Sequence, residues 1–181
     1  KNGITPDYVC GLSLGEYSAL SAAGVFDPET AIQVVRERGL AMEKAAEGVE
    51  SAMMAILGLE REPLLDICVG CDGYVSIANY NCPGQLVIAG EKKAVEEAGQ
   101  KALDHGARRA VPLNTSGPFH TLLLKDASAR LHEVFKDVTF YEMNVPVIFN
   151  CTGKVLEDCS VQEMLEKQVM SPVYFEDSIR T

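Results

Sequence analysis

Gly11-Leu12-Ser13-Leu14-Gly15, set directly after the short run Tyr8-Val9-Cys10, constrains the fold more than any other stretch of the sequence. A strand end, then Gly-x-Ser-x-Gly, then a helical pattern over residues 16–23 reads as a strand–turn–helix elbow. So tight a turn calls for residues without side-chain bulk, and Gly11 and Gly15 are expected to avoid collisions there. Ser13 is then held in a strained backbone conformation with its Oγ facing away from the sheet. The Leu14 amide, at the helix N-terminus, is placed to face a developing oxyanion. Gly-x-Ser-x-Gly also occurs as a plain glycine-rich turn with an incidental serine, so the setting between strand and helix is what gives the motif weight.

The pattern that follows the elbow gives the architecture. Gly24 stops the first helix, and Asp27-Pro28 reads as N-cap and first residue of a long helix that Gly48 closes. Strands are expected at 52–57, 74–79, 85–89 and 108–113, with helices at 62–69 and 92–105 and a turn at Asn81-Cys82-Pro83-Gly84. That order, βαββαβ, is the ferredoxin-like split unit. A helix at 121–136, a strand at 147–150 and a helix at 161–168 then resume the opening α/β pattern. The fold class is therefore α/β, with a larger core from residues 1–50 and 114–181 interrupted by a small α+β subdomain at 51–113. Residues 4–10 offer less sheet than an α/β protein places before such a turn, and the chain begins with Lys1, so a piece of a longer protein is expected.

Composition sets the boundaries of function. With 181 residues, 47% hydrophobic and 23% charged, the chain can bury a sizeable core and is too aliphatic to be disordered. Sixteen basic residues against twenty-six acidic ones give a net charge of −10, a field that repels nucleic-acid backbones and anionic membranes. Local basic groups at Lys92, Lys93, Lys101, Arg108 and Arg109 can still meet an acidic partner, although solvated surface charge explains them as well. No basic-then-apolar leader and no uninterrupted apolar span is present, which points to the cytoplasm. The six cysteines are then expected to be reduced and structural. Cys68-x-x-Cys71 ends a helical stretch, where the dipole disfavours thiolate, and no second pair with zinc-ligand spacing accompanies it, so no metal is expected.

A serine nucleophile needs a base, and three histidines are available. His105 falls at a helix C-terminus and His132 in mid-helix, where ordinary roles suffice. His120 follows the rigid loop Ser116-Gly117-Pro118-Phe119 outside the small subdomain, and a loop returning to the larger core can bring it to Ser13. Arg38 is the third feature. Ala31, Val35, Arg38 and Met42 share one helical face, so a guanidinium interrupts an apolar stripe and must find an anion. That anion is either an internal carboxylate such as Glu16 or the carboxylate of a substrate gripped by a bidentate fork.

Gly-Leu-Ser-Leu-Gly-Glu-Tyr-Ser-Ala-Leu, Arg38-Gly39, Asn81-Cys82-Pro83-Gly84-Gln85, Ile88-Ala89-Gly90, Pro118-Phe119-His120, Gln168-Val169 and Pro172-Val173 occur in this order. As a set they resemble the malonyl-CoA:acyl-carrier-protein transacylase family of bacterial fatty-acid synthesis, over essentially the whole chain. The resemblance implies an α/β-hydrolase-like parallel-sheet core, incomplete here, carrying the ferredoxin-like insertion. It implies that Ser13 attacks the thioester of malonyl-CoA, and that His120 takes the serine proton and later activates the phosphopantetheine thiol of acyl carrier protein. Arg38 would grip the malonyl carboxylate and the Leu14 amide would form half of the oxyanion hole. A backbone carbonyl at Gln168 would orient His120 in place of a triad carboxylate, and Asn81 would lie near the site. The coenzyme A thioester is the substrate, and no tightly bound cofactor is implied. Phe119 before the histidine resembles malonyl-preferring acyltransferase domains of polyketide synthases.

Two departures stand out. Leu12 occupies a position that is commonly His in the family. The family's glutamine-bearing glycine loop, which completes the oxyanion hole, has no counterpart in these residues, and loss of one such donor typically costs about 100- to 1000-fold in turnover. A polyketide-synthase acyltransferase domain, a serine hydrolase and a non-catalytic carrier-binding relative are the competing readings. A hydrolase gives Arg38 no reason to lie in its pocket, and the intact set of Ser13, Arg38 and His120 speaks against a non-catalytic protein.

Overall fold

The computed structural model describes residues 5–181, so Ile4, the first residue of the short run before the elbow, lies outside the described residues. Two sheets organise a mixed α/β chain. In the first, strand β1 (Val9–Cys10) pairs in parallel with β6 (Val147–Phe149), and β7 (Lys154–Val155) runs antiparallel on the other edge of β6. Helices α1 (Leu14–Ala22), α2 (Pro28–Ala46), α5 (Lys125–Phe135) and α6 (Val161–Gln168) enclose it. Their apolar faces meet in one core containing Tyr17, Leu20, Val34, Leu131, Phe135, Phe149 and Leu165.

Local chemistry fixes where these helices begin. Asp27 Oδ1 accepts from the amides of Glu29 and Thr30, both at 3.0 Å, and Pro28 follows at the first helical position. Such a cap stabilises by about 1 kcal/mol. Ser160 and Glu163 form a reciprocal capping box at the start of α6. The helix expected at 121–136 begins later, with a single 3₁₀ turn at Leu122–Leu124 before α5. His120 has φ 61 and Thr121 is extended, so the chain cannot enter a helix until that turn has been made.

The second sheet has the strand order β5-β2-β4-β3-β8. Its strands are β2 (Ser51–Leu57), β3 (Val75–Cys82), β4 (Gln85–Glu91), β5 (Arg109–Leu113) and β8 (Val173–Tyr174). The first four are mutually antiparallel, and β8 adds in parallel to β3. Alternation along β2 sends Met54 and Ile56 to one face, where α3 (Arg61–Val69) and α4 (Lys92–Asp104) supply Leu64, Ile67, Val95 and Ala98. Met53 and Ala55 point the other way with Ala78, Val87 and Ala89, and Phe119 packs against both this face and the first core. The small sheet thus lies over the loop that carries His120.

Strand β8 and the terminal helix α7 (Phe175–Arg180) were not expected from the pattern. They are held by long-range contacts: Tyr174 stacks on Tyr80 with ring centroids 4.8 Å apart, and Arg61 pairs with Glu176 and Asp177. No helix among the described residues is long and apolar enough to cross a membrane.

Candidate active site

The elbow takes its shape from backbone sterics and one side-chain clamp. Ser13 has φ 53 and ψ −104, a conformation that costs a non-glycine residue about 1–3 kcal/mol. The amides of Gly15 and Glu16 turn back on the carbonyls of Leu12 and Ser13, at 2.8 and 3.1 Å. This leaves the Leu14 amide without a backbone acceptor among the described residues, at the positive end of α1. A Cβ on Gly11 would lie 2.1 Å from the Gly15 carbonyl oxygen, so only glycine fits there. Gly15 differs from the expectation. A Cβ at that position meets nothing within 4 Å, because α1 turns its own side chain away from the elbow.

Asn150, just past the end of β6, holds the turn from below. Its Oδ1 accepts from the Ser13 amide at 2.6 Å and its Nδ2 donates to the Gly11 carbonyl at 2.7 Å. One amide thus satisfies both sides of the nucleophile's turn. The sequence pattern placed a strand end at Asn150 but gave no signal for this role, since the two partners are 137 and 139 residues away.

His120 meets the serine directly. Its Nε2 lies 2.7 Å from Ser13 Oγ, and its Nδ1 lies 2.9 Å from the Gln168 carbonyl. A carbonyl only accepts, so Nδ1 carries the proton and the Nε2 lone pair faces the serine hydroxyl. The imidazole is 4% exposed, and its pKa is pushed down from 6.5 to about 4. Burial is the main cause; the Gln168 carbonyl opposes it and the Arg38 charge adds to it. His105 and His132 stay away: His105 turns onto the Lys101 carbonyl and His132 pairs with Glu166, both on exposed helix surfaces.

Arg38 is 6% exposed and has no carboxylate within ion-pairing distance among the described residues. Its Nη2 donates to Ser13 Oγ at 2.9 Å and its Nε to Gln168 Oε1 at 3.2 Å, while the guanidinium stands 5.4 Å from the Tyr17 ring centroid. Burial lowers its pKa, and the nearby Tyr17 and Glu16 counter that effect. The internal ion pair with Glu16 is thus replaced by a relay. Gln168 stands between the two, with Nε2 donating to Glu16 Oε1 at 3.1 Å and to the Ser13 carbonyl at 2.9 Å. Glu16 is fully buried and its other oxygen accepts from the Asn150 amide. Its carboxyl is raised well above the usual range by burial, against the pull of Asn150, Gln168 and Arg38.

A cleft of about 590 Å³ opens over these groups, lined by Ser13, Arg38, Met42, Asn79, Phe119 and His120. Asn79 lines it where Asn81 was expected. The β3–β4 register shifts between Ile77 and Asn79. Cys68 and Cys71 lie apart from this cleft, all six cysteines are free, and burial pushes the Cys68 thiol up to about 12. No group of three or more potential metal ligands occurs among the described residues.

A half-buried serine meets a buried histidine on a strand–turn–helix elbow, beside an arginine with no carboxylate partner among the described residues, an arrangement chemically able to take up an acyl group. The acyl transferase domain family matches residues 1–181, and the chain belongs to that family. It is 46% identical over 183 residues to the malonyl CoA-acyl carrier protein transacylase of Bacillus subtilis, covering 99% of this chain and 58% of that protein. The Haemophilus influenzae transacylase of the same name is 37% identical, covering 97% of this chain and 57% of that protein. The acyl-carrier-protein S-malonyltransferase structure from Burkholderia pseudomallei superposes with a TM-score of 0.95 at 37% identity, covering 99% of this chain and 59% of that one. A malonyl-transacylase solved in complex with a type II polyketide synthase acyl-carrier protein gives 0.94 at 38% identity, with coverages of 99% and 59%. The chain spans somewhat under three-fifths of the length of these relatives.

Proposed function

We propose that these residues form the acyl-transfer centre of an [acyl-carrier-protein] S-malonyltransferase. It moves malonyl from coenzyme A to the phosphopantetheine thiol of acyl carrier protein in the cytoplasm. The observation that carries the reading is the sharing of one oxygen: Ser13 Oγ lies 2.7 Å from His120 Nε2 and 2.9 Å from Arg38 Nη2. The names of the Bacillus and Haemophilus relatives support the substrate and the acceptor.

In the first half-reaction Ser13 Oγ attacks the thioester carbonyl as its proton passes to His120 Nε2. The tetrahedral oxyanion forms against the Leu14 amide. On the family resemblance, a second donor comes from a glutamine-bearing glycine loop that these residues do not contain. Collapse breaks the carbon–sulfur bond, and the departing coenzyme A thiolate takes the proton from His120. In the second half, His120 accepts the proton of the carrier thiol, the thiolate attacks the Ser13 ester, and the proton returns to Ser13 Oγ. The Gln168 carbonyl holds the imidazole tautomer throughout. Arg38 binds the malonyl carboxylate, an anion for which the buried guanidinium has no internal substitute within ion-pairing distance among the described residues.

The strand order β5-β2-β4-β3, with α3 and α4 on one face, supports reading residues 51–113 as a ferredoxin-like subdomain. The parallel β1–β6 pair beside the elbow supports an α/β-hydrolase-like core from residues 1–50 and 114–181. The structure solved with a polyketide carrier protein makes such a carrier a second candidate acceptor for the same chemistry. Initial-rate kinetics of the full-length protein with malonyl-CoA and both carriers test the reading. Parallel double-reciprocal lines are expected, and a rate confined to hydrolysis would overturn it.

A further inference from the structure

We propose that Glu16 is a positioning residue for acyl selection: through the Gln168 side chain it fixes the edge that the Arg38 guanidinium presents to the cleft. The proposal rests on the acyl-transfer reading above and deepens it by assigning the group that sets the arginine's direction.

Glu16 sits in the first turn of α1, where the helix N-terminus favours a carboxylate, and it is fully buried. Both groups that reach it are donors: the Asn150 amide at Oε2 and Gln168 Nε2 at Oε1. Gln168 Nε2 also serves the Ser13 carbonyl, and Gln168 Oε1 faces Arg38 Nε. Rotating that amide by half a turn would set its oxygen against the accepting Glu16 oxygen and the Ser13 carbonyl, and its NH₂ against the arginine N–H. Both ends would clash electrically, so Glu16 and Arg38 together hold one orientation.

That orientation has a consequence for the fork. An arginine can present either its Nε–Nη2 side or its Nη1–Nη2 end to a carboxylate. Here Nε is engaged by Gln168 and Nη2 reaches the nucleophile. The Nη1–Nη2 end is left to meet a carboxylate carried on the Ser13 ester. Removing the Glu16 acceptor frees the Gln168 amide to turn, and the guanidinium loses the contact that aims it. A role confined to stabilising the fold would lower the melting temperature and leave acyl preference untouched.

The test is the ratio of kcat/KM for malonyl-CoA over acetyl-CoA in the full-length protein, measured for wild type, Glu16→Gln, Glu16→Asp, Gln168→Leu and Arg38→Ala. Glu16→Asp keeps the carboxyl group but withdraws it by one methylene. Gln168→Leu leaves Glu16 in place and reads the link from its other end, should the Glu16 variants not fold. The ratio is expected to fall roughly 10- to 100-fold in the Glu16 and Gln168 variants, through malonyl more than acetyl, as loss of a charge-assisted contact requires. Combining Glu16→Gln with Gln168→Leu is expected to add nothing further. If Arg38→Ala lowers the ratio while the Glu16 and Gln168 variants keep the wild-type value, the positioning role is overturned. If Arg38→Ala itself leaves the ratio unchanged, the carboxylate grip fails, and the proposal fails with it.

Discussion

Arg38 Nη2 donates to Ser13 Oγ at 2.9 Å, so the charge that would grip the acyl carboxylate sits on the nucleophile's own oxygen before substrate arrives. Once Oγ becomes an ester oxygen it is a poor acceptor, and the N–H is released to the carboxylate of the bound group. Arg38→Ala is therefore expected to lose malonyl turnover far more than acetyl turnover, by about 100-fold or more for two charged hydrogen bonds at about 1.5–3 kcal/mol each. Arg38→Lys should recover only part of this, because one ammonium cannot serve both Gln168 Oε1 and a bidentate carboxylate. Paired kcat/KM measurements on the two thioesters decide both points.

The acid limb of the reaction should lie unusually low. An imidazole at its ordinary 6.5 would be protonated, and lost as a base, as pH falls through 6.5, whereas His120 is held neutral down to about 4. Ser13 acylation is thus expected to persist through pH 6 and to fall nearer pH 4. Arg38→Ala, which removes one downward influence, should move the limb upward. Between about 4 and 6.5 the unfolded chain binds this proton and the folded chain does not, so stability should rise with pH across that window and be lost as pH falls from 6.5 toward 4. Rapid-quench acylation rates and melting temperatures across this range check the two effects separately.

The two glycines of the elbow should behave oppositely. Gly11→Ala forces a Cβ to 2.1 Å from the Gly15 carbonyl and should displace the turn, destabilising by about 2–4 kcal/mol as overpacking against backbone does and abolishing acylation. Gly15→Ala enters open space within a helix and is expected to be neutral or to stabilise by up to about 1 kcal/mol. Denaturant unfolding of both variants provides the comparison.

Asn150→Ala should injure the nucleophile without touching substrate. It leaves the Ser13 amide and the Gly11 carbonyl unpaired in a partly buried turn, a cost of about 1–3 kcal/mol. The strained φ of Ser13 then loses its restraint. Acylation is expected to slow for malonyl and acetyl alike, in contrast to the selective loss at Arg38.

The sequence made the elbow legible because strand, turn and helix are contiguous there, and the βαββαβ order because its periodicities switch cleanly. Asp27-Pro28 announced α2 for the same local reason. What escaped was non-local. Asn150 and the Gln168 side chain act on residues 130 or more positions away, through hydrogen bonds that no local pattern encodes. Strand β8 has two residues and depends on pairing with β3. Asn79 lines the cleft although only Asn81 was singled out, and that choice came from the family resemblance, which no local pattern could check. The requirement placed on Gly15 was an overreach of the motif, since the collision belongs to Gly11 alone.

The shared oxygen of Ser13 is tested most directly by trapping the acyl group on it. Full-length protein incubated with radiolabelled malonyl-CoA and quenched in acid should carry stoichiometric label on the peptide containing Ser13. The label should be absent from Ser13→Ala and transferable to the thiol of holo acyl carrier protein. A protein of wild-type stability that takes up no label, or carries it on a residue other than Ser13, would contradict the assignment of this serine as the nucleophile.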